Sequence, residues 1–336
     1  MCNLASIALP SFVVNKTFDF VKLQQITELI TYNLNRVIDI NYYPTEKCRN
    51  SNQRHRPIGI GIQGLADVFM ILGISFESEE AKTLNRDIFE TMYYSAVKES
   101  CRLAQKDGPY STFANSPASK GILQFDMWNV SQDNTRHDWT TLKQNIITHG
   151  LRNSLLMAPM PTASTSQILG FNECIEPITN NIYSRRTNAG EFLLTNKYLM
   201  KDLLEMGIWN ETVKNQIVAN GGSIQTIESI PMELRVKYKT VWEIPAKVLI
   251  DMAADRGPFI CQSQSSNYWM AKPDRSKLTK MHMYAWSKGL KTGIYYLRQQ
   301  GAHQAQKFTI EPTKMTGHTQ YEEEEEEETT CETCSA

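Results

Sequence analysis

No run of eighteen apolar residues occurs anywhere in the 336-residue chain, so no segment reads as a membrane-spanning helix. No secretory leader is expected either, because the sequence opens directly on Cys2-Asn-Leu-Ala-Ser6 with no charged lead. A soluble, cytoplasmic protein is the expectation. Cysteine is sparse: seven residues, an odd number mostly placed singly, exclude a disulfide framework and fit reduced thiols. One Cys-x-x-Cys ends the chain, but no second such pair and no His-x-x-x-His accompanies it, so a four-ligand zinc site lacks partners and no metal is expected. A large excess of either charge is also lacking, since the net charge is −1, which argues against a nucleic-acid track. No repeat of fixed period is present.

What is there is globular material. At 41% hydrophobic residues the chain suffices for one large domain or two smaller ones. The composition changes near Gly301. Beyond it comes an unbroken run of glutamates, Glu322 to Glu328, and then Cys331-Glu-Thr-Cys334. Adjacent carboxylates repel and offer no apolar face, so residues 301–336 are expected to form a flexible, disordered acidic tail behind a folded body of residues 1–300. Without those glutamates the body is mildly positive, which suits an anionic small molecule. A dithiol on a mobile arm is a reducing device, since one thiolate can attack a distant disulfide through a mixed disulfide. Half of a zinc site and an inert tail are the competing readings, and redox chemistry is the favoured one.

Strands and helices alternate along the body, which predicts an α/β fold. Leu4 to Val14 reads as a buried strand, and Phe20 to Ile40 as a helix with Leu23, Ile26, Leu29, Ile30, Leu34, Val37 and Ile38 on one face. A polar loop is expected over Asn50 to Arg56, with His55 in a solvated basic stretch. Ile58-Gly-Ile-Gly-Ile-Gln-Gly64 has neither the phosphate-loop nor the dinucleotide spacing, so its glycines are read as points of close packing. Further helices are predicted over Glu79–Ala104, Lys197–Met206, Glu211–Ala219, Val241–Ala254 and Lys277–Lys288. Arg152–Ala158 and Lys291–Leu297 read as strands.

Three places carry chemistry. Pro161-Thr-Ala-Ser-Thr-Ser166 places four hydroxyls between a strand and a helix, which makes either an anion site or a plain helix cap. Tyr295 and Tyr296 are adjacent, and neighbours on a regular strand face opposite ways, so one core ring and one surface ring is the default. Two stacked phenols passing a hydrogen atom is the alternative, and it needs both rings close and shielded from water. Cys2 opens an apolar strand, where its thiol can point into a cleft. Cys48, Cys101, Cys174 and Cys261 read as packing or loop positions.

Taken together these residues resemble the C-terminal portion of the large subunit of class I ribonucleotide reductase, eukaryotic type. The resemblance lies in Cys2-Asn-Leu-Ala-Ser-Ile-Ala-Leu9, Asp39-Ile-Asn-Tyr-Tyr-Pro44, Arg54-His-Arg-Pro-Ile-Gly-Ile-Gly61, Gly64-Leu-Ala-Asp67 and Ala158-Pro-Met-Pro-Thr-Ala-Ser-Thr165. It continues through Asn181-Ile-Tyr183, Arg185-Arg186, Gly293-Ile-Tyr-Tyr-Leu-Arg298 and the terminal Cys-x-x-Cys. The resemblance implies a ten-stranded α/β barrel and the reduction of ribonucleoside diphosphates to 2′-deoxyribonucleoside diphosphates by radical chemistry. Cys2 would be one member of the active-site dithiol, and Pro161, Thr162, Ala163, Ser164 and Thr165 would hold the substrate phosphates. Tyr295 and Tyr296 would relay a radical from the small subunit. Cys331 and Cys334 would reduce the active-site disulfide and be recharged by thioredoxin or glutaredoxin. The helix near Lys277–Lys288, with Leu278, Met281, Tyr284 and Ala285 on one side, would help form a groove for the small subunit's C-terminus.

No Asn-Leu-Cys-x-Glu pattern occurs, although the family's radical cysteine sits in one upstream of the Cys2 strand. The second thiol of the active-site pair and the regions that bind ATP and deoxynucleotide effectors would also lie upstream. A fragment that is inactive alone is therefore expected, binding no cofactor directly; the family's metal-linked radical is held by the small subunit, and its large subunits self-associate. The alternative is a noncatalytic product that binds the small subunit or thioredoxin. Cys261 stands where the family carries an acidic residue.

Overall fold

The computed structural model describes residues 1–131, 135–187 and 190–300, without the side chains of residues 186 and 187. Cys331, Cys334 and the rest of the expected tail lie outside the described residues. In chain order the first elements are β1 (Leu4–Ala8), β2 (Val13–Val14), β3 (Thr17–Phe18), α1 (Phe20–Ile40), α2 (Glu46–His55), β4 (Gly59–Gln63) and α3 (Leu65–Leu72). Then come α4 (Glu79–Asp107), α5 (Gln124–Met127), α6 (Trp139–His149), α7 (Thr165–Leu169), β5 (Ile182–Thr187), β6 (Gly190–Thr195) and α8 (Lys197–Glu205). The last are α9 (Glu211–Ala219), α10 (Met232–Lys237), α11 (Ala246–Arg256), β7 (Asn267–Trp269), α12 (Arg275–Ser287) and β8 (Tyr296–Arg298).

Strand β4 is the centre of the fold. It runs parallel to β1, with Leu4 facing Gly59 and Ala8 facing Gln63. On its other edge Ile58 N–H donates to the Leu155 carbonyl at 3.0 Å, Ile60 N–H to Leu156 at 2.8 Å, and Ala158 N–H to Ile60 at 2.9 Å. All five β4 residues are buried, as a strand paired on both edges and covered on both faces requires. The glycines do what their spacing suggests. A Cβ on Gly59 would stand 2.5 Å from Leu4 Cδ2, and one on Gly61 3.1 Å from the Ala158 oxygen, so a side chain would displace a neighbouring side chain at the first and press on backbone at the second. β7 and β8 form a second parallel pair, and β2–β3 and β5–β6 are antiparallel. The α/β reading stands; among the described residues the ladders do not close into a continuous barrel.

Helix α1 covers the span expected from its periodicity. Asp19 caps it, accepting the Lys22 N–H at 2.9 Å. Its buried stripe differs from the aliphatic face: Thr27 and Thr31 are buried, whereas Leu29 is exposed. Each threonine hydroxyl donates to the carbonyl four residues back at 2.8 Å, so it enters the α1–α4 contact with its hydrogen bond made.

Five expectations change, the first being the strand read over Lys291–Leu297, which the structure shortens to Tyr296–Arg298. Asn50–Arg56 is not a loop: Glu46–His55 is helical, capped by Thr45, and Arg56 closes it at φ +47°. Periodicity could not find α2, because a charged pair and not an apolar stripe anchors it. The strand expected over Leu4–Val14 stops at Ala8, where Pro10, which has no N–H, starts a 3-10 turn. Arg152–Ala158 bridges β4 only at Met157 and forms no longer strand. The helix expected from Val241 begins at Ala246, after Pro245.

Candidate functional site

The hydroxyl-rich loop is held from three directions. Thr162 lies at φ +56° with its side chain buried, and its hydroxyl accepts the Cys174 N–H at 2.8 Å. The Ser166 N–H returns to the Thr162 carbonyl at 3.0 Å. Thr165 donates to Gln63 Oε1 at 3.0 Å, pinning the loop to the end of β4. Thr162 and Thr165 therefore anchor, while Ala163 and Ser164 face outward and Pro161 is half-buried. Ser164 makes no capping bond, which answers the plain-cap reading for that residue. Because α7 is only five residues long, its dipole is small, and an anion here would depend on outward hydroxyl and backbone donors.

Cys2 is exposed and lies two residues before β1. Its neighbour Asn3 accepts the Gly59 N–H at the start of β4, whereas Thr165 bonds the last residue of that strand. At about 3.3 Å per residue, β4 separates these anchor points by roughly 13 Å. The thiol and the loop thus attach to opposite ends of one strand.

Tyr295 and Tyr296 do meet. Their ring centroids are 4.4 Å apart at 66°, edge to face, and hydrogen bonding to Tyr296 raises the Tyr295 phenol above its ordinary range. The alternation rule does not separate them because β8 begins only at Tyr296, leaving Tyr295 outside the pleat. Shielding is not met in the chain by itself, since the two residues are 47% and 52% exposed. Their backbone is held firmly: Tyr295 N–H donates to the Ser266 carbonyl at 2.8 Å and Tyr296 N–H to Asn267 Oδ1 at 3.1 Å.

Periodicity and motif reading missed Glu176. It is buried, its carboxyl accepts from the Asn267 amide, and burial pushes it up to about 7. The available signal was an acid between Ile175 and Pro177, two apolar neighbours. Burial raises the Cys174 thiol to about 12, which fits a packing role. Burial also raises the Cys261 thiol, but its sulfur receives the Leu156 and Met157 N–H groups at 3.1 and 3.2 Å. Two backbone donors converging there would equally serve a carboxylate.

On α12 the expected groove face divides. Met281 and Ala285 are buried with Ile250 and Tyr268, and Tyr284 donates to Asp251 at 2.6 Å. Leu278, from the same face, lines an open cavity of about 550 Å³ together with His282, Met283 and Leu297. Among the described residues no cluster of three or more His, Cys, Asp or Glu side chains is gathered for a metal, and no helix is long and apolar enough to cross a membrane.

A family model described as the ribonucleotide reductase barrel domain matches residues 1–296. The ribonucleoside-diphosphate reductase large chain of Cryptosporidium parvum is 58% identical over 95% of this chain and 40% of its own length. The large subunit from Caenorhabditis elegans is 57% identical over 96% of this chain and 41% of its own length. Among solved structures, the class Id ribonucleotide reductase alpha subunit of Actinobacillus ureae superposes with a TM-score of 0.67 at 26% identity, over 89% of this chain and 49% of that one. The chain thus spans about 40% of the length of these curated relatives. With the match running from the Cys2 segment through Tyr296, the chain belongs to the ribonucleotide reductase barrel-domain family.

Proposed function

We propose that this chain supplies the phosphate loop, the radical relay and the reductant thiols of a ribonucleoside-diphosphate reductase large subunit. The contact between the Tyr295 and Tyr296 rings carries the reading, since adjacent residues on a regular strand would not touch. A hydrogen atom moves between the two phenols toward the substrate. A docked small subunit, the holder of the metal-linked radical, covers the half-exposed rings and supplies the shielding they lack alone.

The diphosphate sits against Ala163, Ser164 and Thr165, with Pro161 and Thr162 shaping the loop from behind. Cys2 and a second thiol together give two electrons and two protons, close a disulfide, and release the 2′ hydroxyl as water. Cys331 and Cys334 reopen that disulfide by exchange and pass the oxidation to thioredoxin or glutaredoxin. ATP and deoxynucleotide effectors act through parts of the large subunit other than these residues, and large subunits associate with one another. The cavity beside Leu278, His282 and Met283 favours docking of the small subunit's C-terminus, a role that survives in a noncatalytic chain.

The test is a chimera in which residues 1–336 replace the matching segment of a full-length relative. CDP reduction is expected with a small subunit and thioredoxin, and Tyr295→Phe should abolish it while leaving CDP binding intact. Full turnover by Tyr295→Phe would overturn the relay. Binding of the small subunit without any turnover in the unsubstituted chimera would leave the binding module as the function.

A further inference from the structure

The Tyr pair is tied to the substrate loop through a single residue, Glu176, its carboxyl on one side and its backbone on the other. Glu176 bonds the Asn267 amide, and the other end of that amide accepts the Tyr296 N–H at 3.1 Å. Asn267 also faces Tyr296 in the β7–β8 ladder, so the side chain and the backbone of one residue hold the same neighbour. On the other side, the Glu176 carbonyl accepts the Asn172 amide at 2.6 Å, and Cys174, two residues earlier, is bonded to Thr162. Glu176 thus sits between the phosphate loop and the relay without touching a substrate position.

We propose that Glu176 is a proton-linked positioning residue that sets the placement of Tyr296 through Asn267. The proposal rests on the relay reading only for its consequence in turnover; the linkage itself rests on geometry.

A neutral carboxyl and a carboxylate hold an amide differently. The neutral acid has one strong acceptor oxygen and one O–H donor, while the carboxylate is acceptor-only and attracts cations and water. Charged and titratable groups face Glu176 from each packed element: Glu173 on its own segment, Arg298 on β8, and Arg256 from α11. Glu173 disfavours ionisation and Arg298 favours it, whereas Asn267 and Trp269 on β7 offer only neutral hydrogen-bonding groups. Arg256 is bound at Nε to Gln264 at 2.6 Å and at Nη1 to Asn85 at 3.2 Å, so it is not committed to Glu176. A cavity of about 20 Å³, room for one water, adjoins Glu176 and is also lined by Arg256, Ser266 and Tyr268. Among the described residues the buried Tyr268 hydroxyl there has no hydrogen-bond partner. The carboxylate therefore has a place to draw solvent when its proton leaves, and the Asn267 amide must re-aim when it does. Burial places that event at about 7, within the physiological range.

The measurement is the Tyr296 backbone amide shift in the tyrosine-¹⁵N-labelled chain, followed through neutral pH. Wild type should show one inflection near 7, and Glu176→Gln should show none. Asn267→Ala should remove it too, and serves if Glu176→Gln does not fold. An inflection that persists in either folded variant, or a flat wild-type trace, overturns the proposal. The titration needs no turnover, so the two readings fail separately. In the chimera, an inflection without reductase activity would remove the relay and leave the linkage. Activity with a flat trace would do the reverse.

Discussion

Arg56 and Asp39 form a two-pronged ion pair, Nη1 to Oδ1 at 2.8 Å and Nη2 to Oδ2 at 2.9 Å, with the arginine only 3% exposed. The same guanidinium donates from Nε to Asn35 Oδ1 at 3.0 Å and from Nη2 to the Asn35 carbonyl at 2.8 Å. All four contacts join the end of α2 to the last turns of α1. The Arg56 hydrogen bond holds the Asp39 carboxyl below the ordinary range. Its folded pKa lies under the unfolded one, so the pair's contribution is complete above the ordinary carboxylate range and is lost as pH falls through the folded value. Arg56→Ala should cost about 2–4 kcal/mol, because Asn35 then keeps only the Asn153 amide as a side-chain donor and Asp39 loses its partner. Urea unfolding at neutral and acid pH checks both the loss and its narrowing in acid.

Gly61→Ala should destabilise more than Gly59→Ala. At Gly61 the new methyl would meet backbone, the Ala158 oxygen at 3.1 Å and the Met160 nitrogen at 3.2 Å, whereas at Gly59 the nearest atom is a Leu4 methyl that can swing aside. Overpacking of this kind costs about 1–3 kcal/mol. Thermal unfolding of the two variants ranks them, and an equal or inverted order would contradict the packing.

Thr162→Val should destabilise the fold, because the buried Cys174 N–H loses its acceptor, at about 1–3 kcal/mol. Ser164→Ala should leave stability within about 0.5 kcal/mol, since that side chain faces outward. Under the proposed phosphate role, CDP affinity should fall in Ser164→Ala all the same. Calorimetric titration beside denaturant unfolding separates anchor from contact.

Stability should depend on pH through Glu176. Its folded pKa of about 7 stands above the ordinary glutamate value of 4.5, so the native state is favoured while the group keeps its proton. That advantage is full below the unfolded pKa and is lost as pH rises to about 7, by on the order of 3 kcal/mol. His137 acts oppositely: burial lowers it to about 4, so its contribution fades as pH falls through that value from its ordinary range. The clean readout is the difference between wild type and Glu176→Gln, in which the His137 slope cancels.

Thiol labelling of the native chain should divide the described cysteines. Cys2, which is exposed, should react first with iodoacetamide, and the buried Cys101 and Cys174 only after unfolding. Peptide mass spectrometry before and after denaturation reads this directly.

The sequence by itself determined whatever rests on neighbours a few residues apart. Helix α1 over Phe20–Ile40 and α9 over Glu211–Ala219 follow the predicted spans, and the glycines of β4 announce a close backbone approach. The same local text carries the family, because its short motifs keep their order from Cys2 onward. Tertiary structure decided what each side chain in those motifs does. Four hydroxyls look alike in Thr162–Ser166, yet contacts with Cys174 and Gln63 make two of them anchors. Two adjacent tyrosines touch only because the β8 pairing begins at the second. Arg56 reads as a solvated basic residue until Asn35 and Asp39 close around it. Glu176 and Asn267 stand 91 positions apart, beyond the reach of any periodicity, and their hydrogen bond exists only once the chain has brought β7 against the segment that follows the hydroxyl-rich loop.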